Sequence, residues 1–170
     1  MTVRKMAVTF GLGGSIFDPP AGEVYIIPRY RAMGLITPDK PFSYTDSQGI
    51  HDFLRDADWR GSTADSFGAD YQSEYFDGLE IDYVAGFQPS VWANNVTADD
   101  SIIIPANIKI AHCVRDPIWI QTSGLGFAKY VAADPNKTRI ITTEHEGAHP
   151  DDWGYAQDLI VAEVKHLIGA

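Results

Sequence analysis

The chain has 170 residues, a formal net charge of −10 and one cysteine, Cys113. The acidic balance removes the basic footprint that nucleic acids require and would repel anionic membranes. A single cysteine excludes an intramolecular disulfide and a thiolate metal cluster, and a composition 45% hydrophobic and 21% charged is that of a globular protein. No run reaches transmembrane length, and the apolar run at residues 6–10 is too short for the core of a signal peptide. A cytoplasmic protein of one domain, spanning 1–170, is therefore expected. The Asn-x-Thr sequons at Asn95 and Asn136 carry no weight without an export signal.

The first predicted strand covers residues 3–10 and ends in the glycine-rich turn Gly11-Leu12-Gly13-Gly14-Ser15. Val24, Ile27, Tyr30 and Met33 then follow with helical spacing, and because proline breaks an early turn, a short helix is expected to start near Pro28. A second strand is expected at 41–45, followed by a helix capped by Asp46 and running through Ile50, Phe53 and Leu54. Residues 59–64 read as the third strand, although Arg-Gly-Ser-Thr is poor strand material. A helix over 67–77 follows, then a strand at 81–87, a long loop at 88–107, a strand at 108–114, a helix at 121–132 and a strand at 139–143. The last helix is the clearest element. Ile160, Val161, Val164, Leu167 and Ile168 share one face, while Asp151 and Asp152 favour its N-terminus.

Strands alternating with helices imply a three-layer α/β fold, a mostly parallel sheet with helices on both faces. Ligands of such sheets gather outside the carboxyl ends of the strands, where strand order reverses. The turns leaving the first and third strands would meet there. The second of these turns reads Ala64-Asp65-Ser66-Phe67-Gly68. Small residues two before and two after a serine allow a tight strand-to-helix turn that exposes the hydroxyl, beside the free N–H groups of the following helix.

A serine hydroxyl needs a base to take its proton and a third group to orient that base. Asp116 follows the fifth strand and His149 the sixth, so a nucleophile, an acid and a base occur in the order expected of such an elbow. His145 is a second candidate base, whereas His112, within a strand, reads as structural. Taken singly, Asp116 before Pro117 is also a plain turn residue. The Gly11–Ser15 turn could cradle a phosphate at a helix N-terminus, yet it lacks both the lysine of a Walker loop and the spacing of a dinucleotide fingerprint.

With these residues in place the chain resembles the α/β-hydrolase superfamily, in particular its small, lidless lipases and esterases. The resemblance runs over nearly the whole chain. It implies a minimal form of that fold, with six parallel strands in the order 2-1-3-4-5-6. Phe10-Gly11-Leu12-Gly13-Gly14 stands where the family has a His-Gly-x-Gly-Gly turn, with phenylalanine replacing the histidine. The resemblance implies a catalytic triad of Ser66, Asp116 and His149, and an oxyanion hole from the N–H groups of Leu12 and Phe67. Phe87, Trp92, Ile118 and Trp119 would wall the substrate pocket. The implied activity is hydrolysis of a small-molecule ester bearing a modest, neutral acyl or alcohol group, with no cofactor and no metal.

A second resemblance uses some of the same residues. Glu146-Gly147-Ala148-His149-Pro150 is similar to the Asp-x-x-His-Pro block of the GDSL/SGNH hydrolases, in which Glu146 would replace Asp116 as the acid. That family's Gly-x-Asn-Asp block is missing. A catalytically silent module of the same fold is the opposing class.

Overall fold

The computed structural model describes residues 2–10, 21–65, 69, 75–89, 101–115, 128–144 and 153–170. In chain order the described elements are β1 (Arg4–Phe10), α1 (Ala21–Ala32), β2 (Phe42–Ser43), α2 (Ser47–Leu54), β3 (Trp59–Asp65), β4 (Tyr83–Phe87), β5 (Ser101–Ile104), β6 (Ile110–Arg115), β7 (Lys129–Ala132), β8 (Arg139–Glu144) and α3 (Trp153–Ile168). Six strands form one sheet in the order β2-β1-β3-β4-β6-β8, every neighbouring pair parallel. Numbered among themselves, these six run 2-1-3-4-5-6, as expected.

Alternation along each strand divides the core in two. Met6 and Val8 of β1, with Tyr83, Ala85 and Phe87 of β4, pack under α1 and α3, whose Ile26, Tyr30, Ile160 and Val164 are buried. The intervening Ala7 and Val84, with Ala111 and Cys113 of β6, face Ile50 and Leu54 of α2. Asp46 caps α2 by accepting from the Gly49 N–H at 3.0 Å. Three layers result, with the sheet in the middle.

Residues 59–64, poor in strand formers, are the middle of this sheet. β3 is flanked by β1 and β4 in continuous parallel register and is buried from Gly61 to Asp65. Propensity loses here because small residues suit a strand packed on both faces. At Gly61 a Cβ would lie 2.8 Å from the Met6 Cε and the Trp59 Cη2, so a larger residue would require the end of one of these side chains to shift.

Three expected elements are corrected. The helix expected near Pro28 begins at Ala21 and carries Pro28 inside it. The proline removes one intrahelical hydrogen bond, but Ile26, Ile27 and Tyr30 hold that turn against the sheet. The loop expected over 88–107 contains β5, and the helix expected over 121–132 ends instead in β7. These two strands pair with each other in a separate parallel sheet, Ile102 opposite Tyr130 and Ile103 opposite Val131. Ile102, Ile104 and Tyr130 bury their side chains in the α2-side core, where helix packing alone was expected. Of the helix expected over 67–77, Ala69 is helical, Tyr75–Phe76 form a 3-10 turn and Asp77 lies in a turn, residues 67, 68 and 70–74 lying outside the described residues. Asp151 and Asp152 lie outside them as well.

Candidate active site

The carboxyl ends of the sheet strands finish level with one another. Thr9 pairs with Ala64, Asp65 with Phe87, Phe87 with Val114, and Arg115 with Glu144. Phe10 and Asp65 therefore end neighbouring strands, and Arg115 and Glu144 end the strands two and three places beyond β3 along the same edge. Ser66, Phe67, Leu12, Trp92, Asp116, Ile118, Trp119, His145, Glu146 and His149 all lie outside the described residues. The edge from which they depart is described in full at β3, β4, β6 and β8.

That edge is tightly built. Asp65, the residue before Ser66, is 2% exposed, and Phe87 beside it is 3% exposed. What is described of Phe87 is core packing, in the cluster beneath α1 and α3. Gln88, directly after β4, has φ of +46°, an uncommon conformation for a residue with a side chain. Its N–H donates to the Val114 carbonyl at 2.7 Å, so the β4–β6 ladder continues one residue past the strand. Such strain persists where the surroundings over-determine it, often at sites of function. Nothing in Phe87-Gln88-Pro89 announces it, because a residue before proline normally adopts extended backbone.

Arg115 closes β6 with a side chain only 9% exposed, its Nε 3.6 Å from the Glu144 Oε1. This cross-strand charge pair stands at the foot of the two segments that carry Asp116 and His149.

On the α2 side of the same edge, Tyr130 of β7 reaches over β4. Its hydroxyl donates to the Ala69 carbonyl at 2.9 Å. Both residues are buried, Tyr130 4% and Ala69 0% exposed. Gly86 makes the room, since a Cβ there would lie 1.8 Å from the tyrosine oxygen. The helix expected over 121–132 placed Tyr130 on the wrong kind of element, which hid this contact from a reading of the residues alone.

His112 sits within β6, away from the edge. Its Nδ1 shares a hydrogen bond with the Tyr83 hydroxyl at 3.1 Å, and its Nε2 one with the Thr143 hydroxyl at 3.0 Å. Burial holds its pKa below the ordinary value, outweighing the Glu163 carboxylate, which pulls the other way. The ring is a cross-strand tie, as a structural histidine should be. The Cys113 thiol, pushed up to about 11 by burial, donates weakly to the Ala128 carbonyl and is not a nucleophile at neutral pH.

Among the described residues no three histidine, cysteine or acidic side chains are placed to hold a metal ion. No described helix is long and apolar enough to cross a membrane. A polar cavity of about 280 Å³ opens beside α2, lined by Ser47, Gln48, His51, Tyr75 and Asp77, where His51 Nε2 lies 3.3 Å from the Asp77 carbonyl.

Comparison with protein-family models gives no match, and comparison with curated proteins gives none either. Among solved structures the chain is similar to a protein of Xanthomonas campestris pv. campestris, provisionally described as a hydrolase of the alpha/beta superfamily. The two superpose with a TM-score of 0.60 over 97% of this chain and 99% of that one, at 10% identity. A likeness over whole chains at so low an identity is a likeness of backbone. With the parallel six-stranded sheet, its strand order and its three layers, it assigns this chain the α/β-hydrolase fold.

Proposed function

We propose that the chain is a serine hydrolase that cleaves a carboxylic ester through an acyl-enzyme. The single observation that supports this most is the level carboxyl edge of the sheet. Ser66 immediately follows Asp65 of β3, Asp116 immediately follows Arg115 of β6, and His149 comes five residues (149 − 144) after the end of β8. Three residue types that serve as nucleophile, acid and base therefore leave one edge, in the chain order of a nucleophile elbow.

In this reading Ser66 Oγ attacks the ester carbonyl carbon while His149 takes the hydroxyl proton. Asp116 holds the imidazole in the right tautomer and stabilises the imidazolium. The carbonyl oxygen becomes an oxyanion that accepts from the Leu12 and Phe67 N–H groups. Losing one such donor costs about 3–4 kcal/mol of activation free energy. Collapse breaks the ester C–O bond, the alcohol leaves with the proton from His149, and Ser66 keeps the acyl group. Water activated by His149 then releases the acid and restores the serine. Trp92, Ile118 and Trp119 would wall the pocket, while Phe87 packs in the core beneath α1 and α3. Phe10 in place of the family's loop histidine removes no backbone donor.

A panel of acyl esters of increasing chain length tests the reading. Ser66→Ala should abolish turnover, and Asp116→Asn should reduce it by roughly three to four orders of magnitude. Full activity in Asp116→Asn together with its loss in Glu146→Gln would move the acid to Glu146.

A further inference from the structure

The two-stranded β5–β7 sheet is more than cover for the α2 face. Its Tyr130 makes a side-chain hydrogen bond to the main chain just beyond Ser66, and three features make that bond a fixed one. The first is the room provided. Gly86 lies under the tyrosine, where a Cβ would come within 1.8 Å of the hydroxyl oxygen and 2.7 Å of Cζ, and within 3.0 Å of the Ala69 Cβ. Any larger residue at 86 would displace the ring, Ala69 or both.

The second is how β7 is tied down. The Ala128 N–H donates to the Pro89 carbonyl at 2.7 Å, and the Cys113 thiol to the Ala128 carbonyl at 3.7 Å, so the start of β7 is fastened to the exit of β4 and to β6. At its other end the Ala133 N–H donates to the Ile104 carbonyl at 2.9 Å, and four register pairs join β7 to β5. The third is dryness. Tyr130 and Ala69 are both buried, so water does not compete for the 2.9 Å bond.

We infer that Tyr130 is a positioning residue for the Ser66 nucleophile: its hydroxyl fixes the Ala69 carbonyl, three residues past the serine, and thereby the setting of the elbow. The inference rests on the serine-hydrolase reading. Tyr130 touches no reacting atom. It acts on the angle at which Ser66 is presented, to which acyl transfer is sensitive because small misplacements cost large factors in rate.

Tyr130→Phe removes the hydroxyl and keeps the ring that fills the space over Gly86. Two readouts are compared with the wild type: hydrogen exchange of the buried Ala69 amide by NMR, and the rate of labelling by a fluorophosphonate per folded molecule. The expected result is faster exchange at Ala69, labelling roughly tenfold to a hundredfold slower, and unaltered exchange in β1 and α3. For ester turnover, kcat should fall while KM stays within about twofold. Gly86→Ala, which attacks the same contact from below, should slow labelling in the same direction.

Unchanged exchange and unchanged labelling in Tyr130→Phe would overturn the inference. Faster exchange with unchanged labelling would overturn it too, reducing the bond to a structural one. If the wild type takes no label, the serine reading fails and this role with it, while the Ala69 exchange still decides whether the hydroxyl holds the turn.

Discussion

The two faces of the central sheet solve the same burial problem differently. Under α1 and α3 the sheet presents large side chains, Met6, Val8, Tyr83 and Phe87, to helices whose own large residues fill the gap. On the α2 face it presents mainly small ones, Ala7, Ala64, Gly86, Ala111 and Cys113 beside Val84, and among the described residues the cover includes one short helix and a pair of strands. Large residues keep layers at the usual helix-to-sheet distance and tolerate small adjustments. Small ones bring main chains close and make position strict. The first face is therefore a stability face. The second is the face on which the Tyr130 hydroxyl holds the Ala69 carbonyl.

Large-to-small changes sharpen this contrast most. Ile160→Ala, on the fully buried side of α3, should cost about 2–5 kcal/mol in denaturant unfolding and leave fluorophosphonate labelling of the folded protein unaltered. Ile104→Ala, equally buried in β5, should cost a similar amount and also slow labelling, because β5 carries β7 and thus Tyr130. Equal labelling in the two variants would break the distinction between the faces.

A smaller effect is expected from acid, and only on the first face. Folded His112 has its pKa below the ordinary 6.5 because it is buried. Between the two values the unfolded chain binds the extra proton and the native chain does not. The contribution is thus complete above about 6.5 and is lost as pH falls toward the folded value. Unfolding midpoints measured from pH 7.5 down to 5 should decline more steeply in the wild type than in His112→Gln. Parallel profiles would remove His112 from the account.

Smallest of all is the Arg29–Asp158 pair joining α1 to α3 on the outside of the first face, at 2.7 Å with both side chains solvent-accessible. Asp158→Asn should change stability by less than about 1 kcal/mol, and less still at high salt.

The same contrast separates what the sequence revealed from what it hid. α3 was legible because five apolar residues repeat on one helical face, and α2 because Asp46 stands where a cap belongs. The order of the six sheet strands followed from the resemblance that the elbow and the glycine turn carried. β3 was expected despite its composition, because the elbow needs a strand before Ser66, and tertiary burial rather than propensity makes it one. Less legible was the closely packed face. Ile102-Ile103-Ile104 is a β-branched run that a strand would favour, yet the absence of flanking alternation let it pass as loop. Tyr130-Val131-Ala132 carries the same signal more weakly. The helix extends back to Ala21 through Pro28 because tertiary contacts at Ile26, Ile27 and Tyr30 outweigh the local cost. Of the candidate site, the edge from which its residues leave is established, and the triad itself stands on sequence order.

The central claim is that Ser66 is an activated nucleophile at that edge. Its most direct test is to incubate the purified chain with a fluorophosphonate and locate the adduct by peptide mass mapping. One adduct is expected, on Ser66, formed in the wild type, lost in Ser66→Ala and strongly slowed in a His149→Ala variant. No adduct in the folded wild type, or equal labelling of Ser66→Ala, would contradict it.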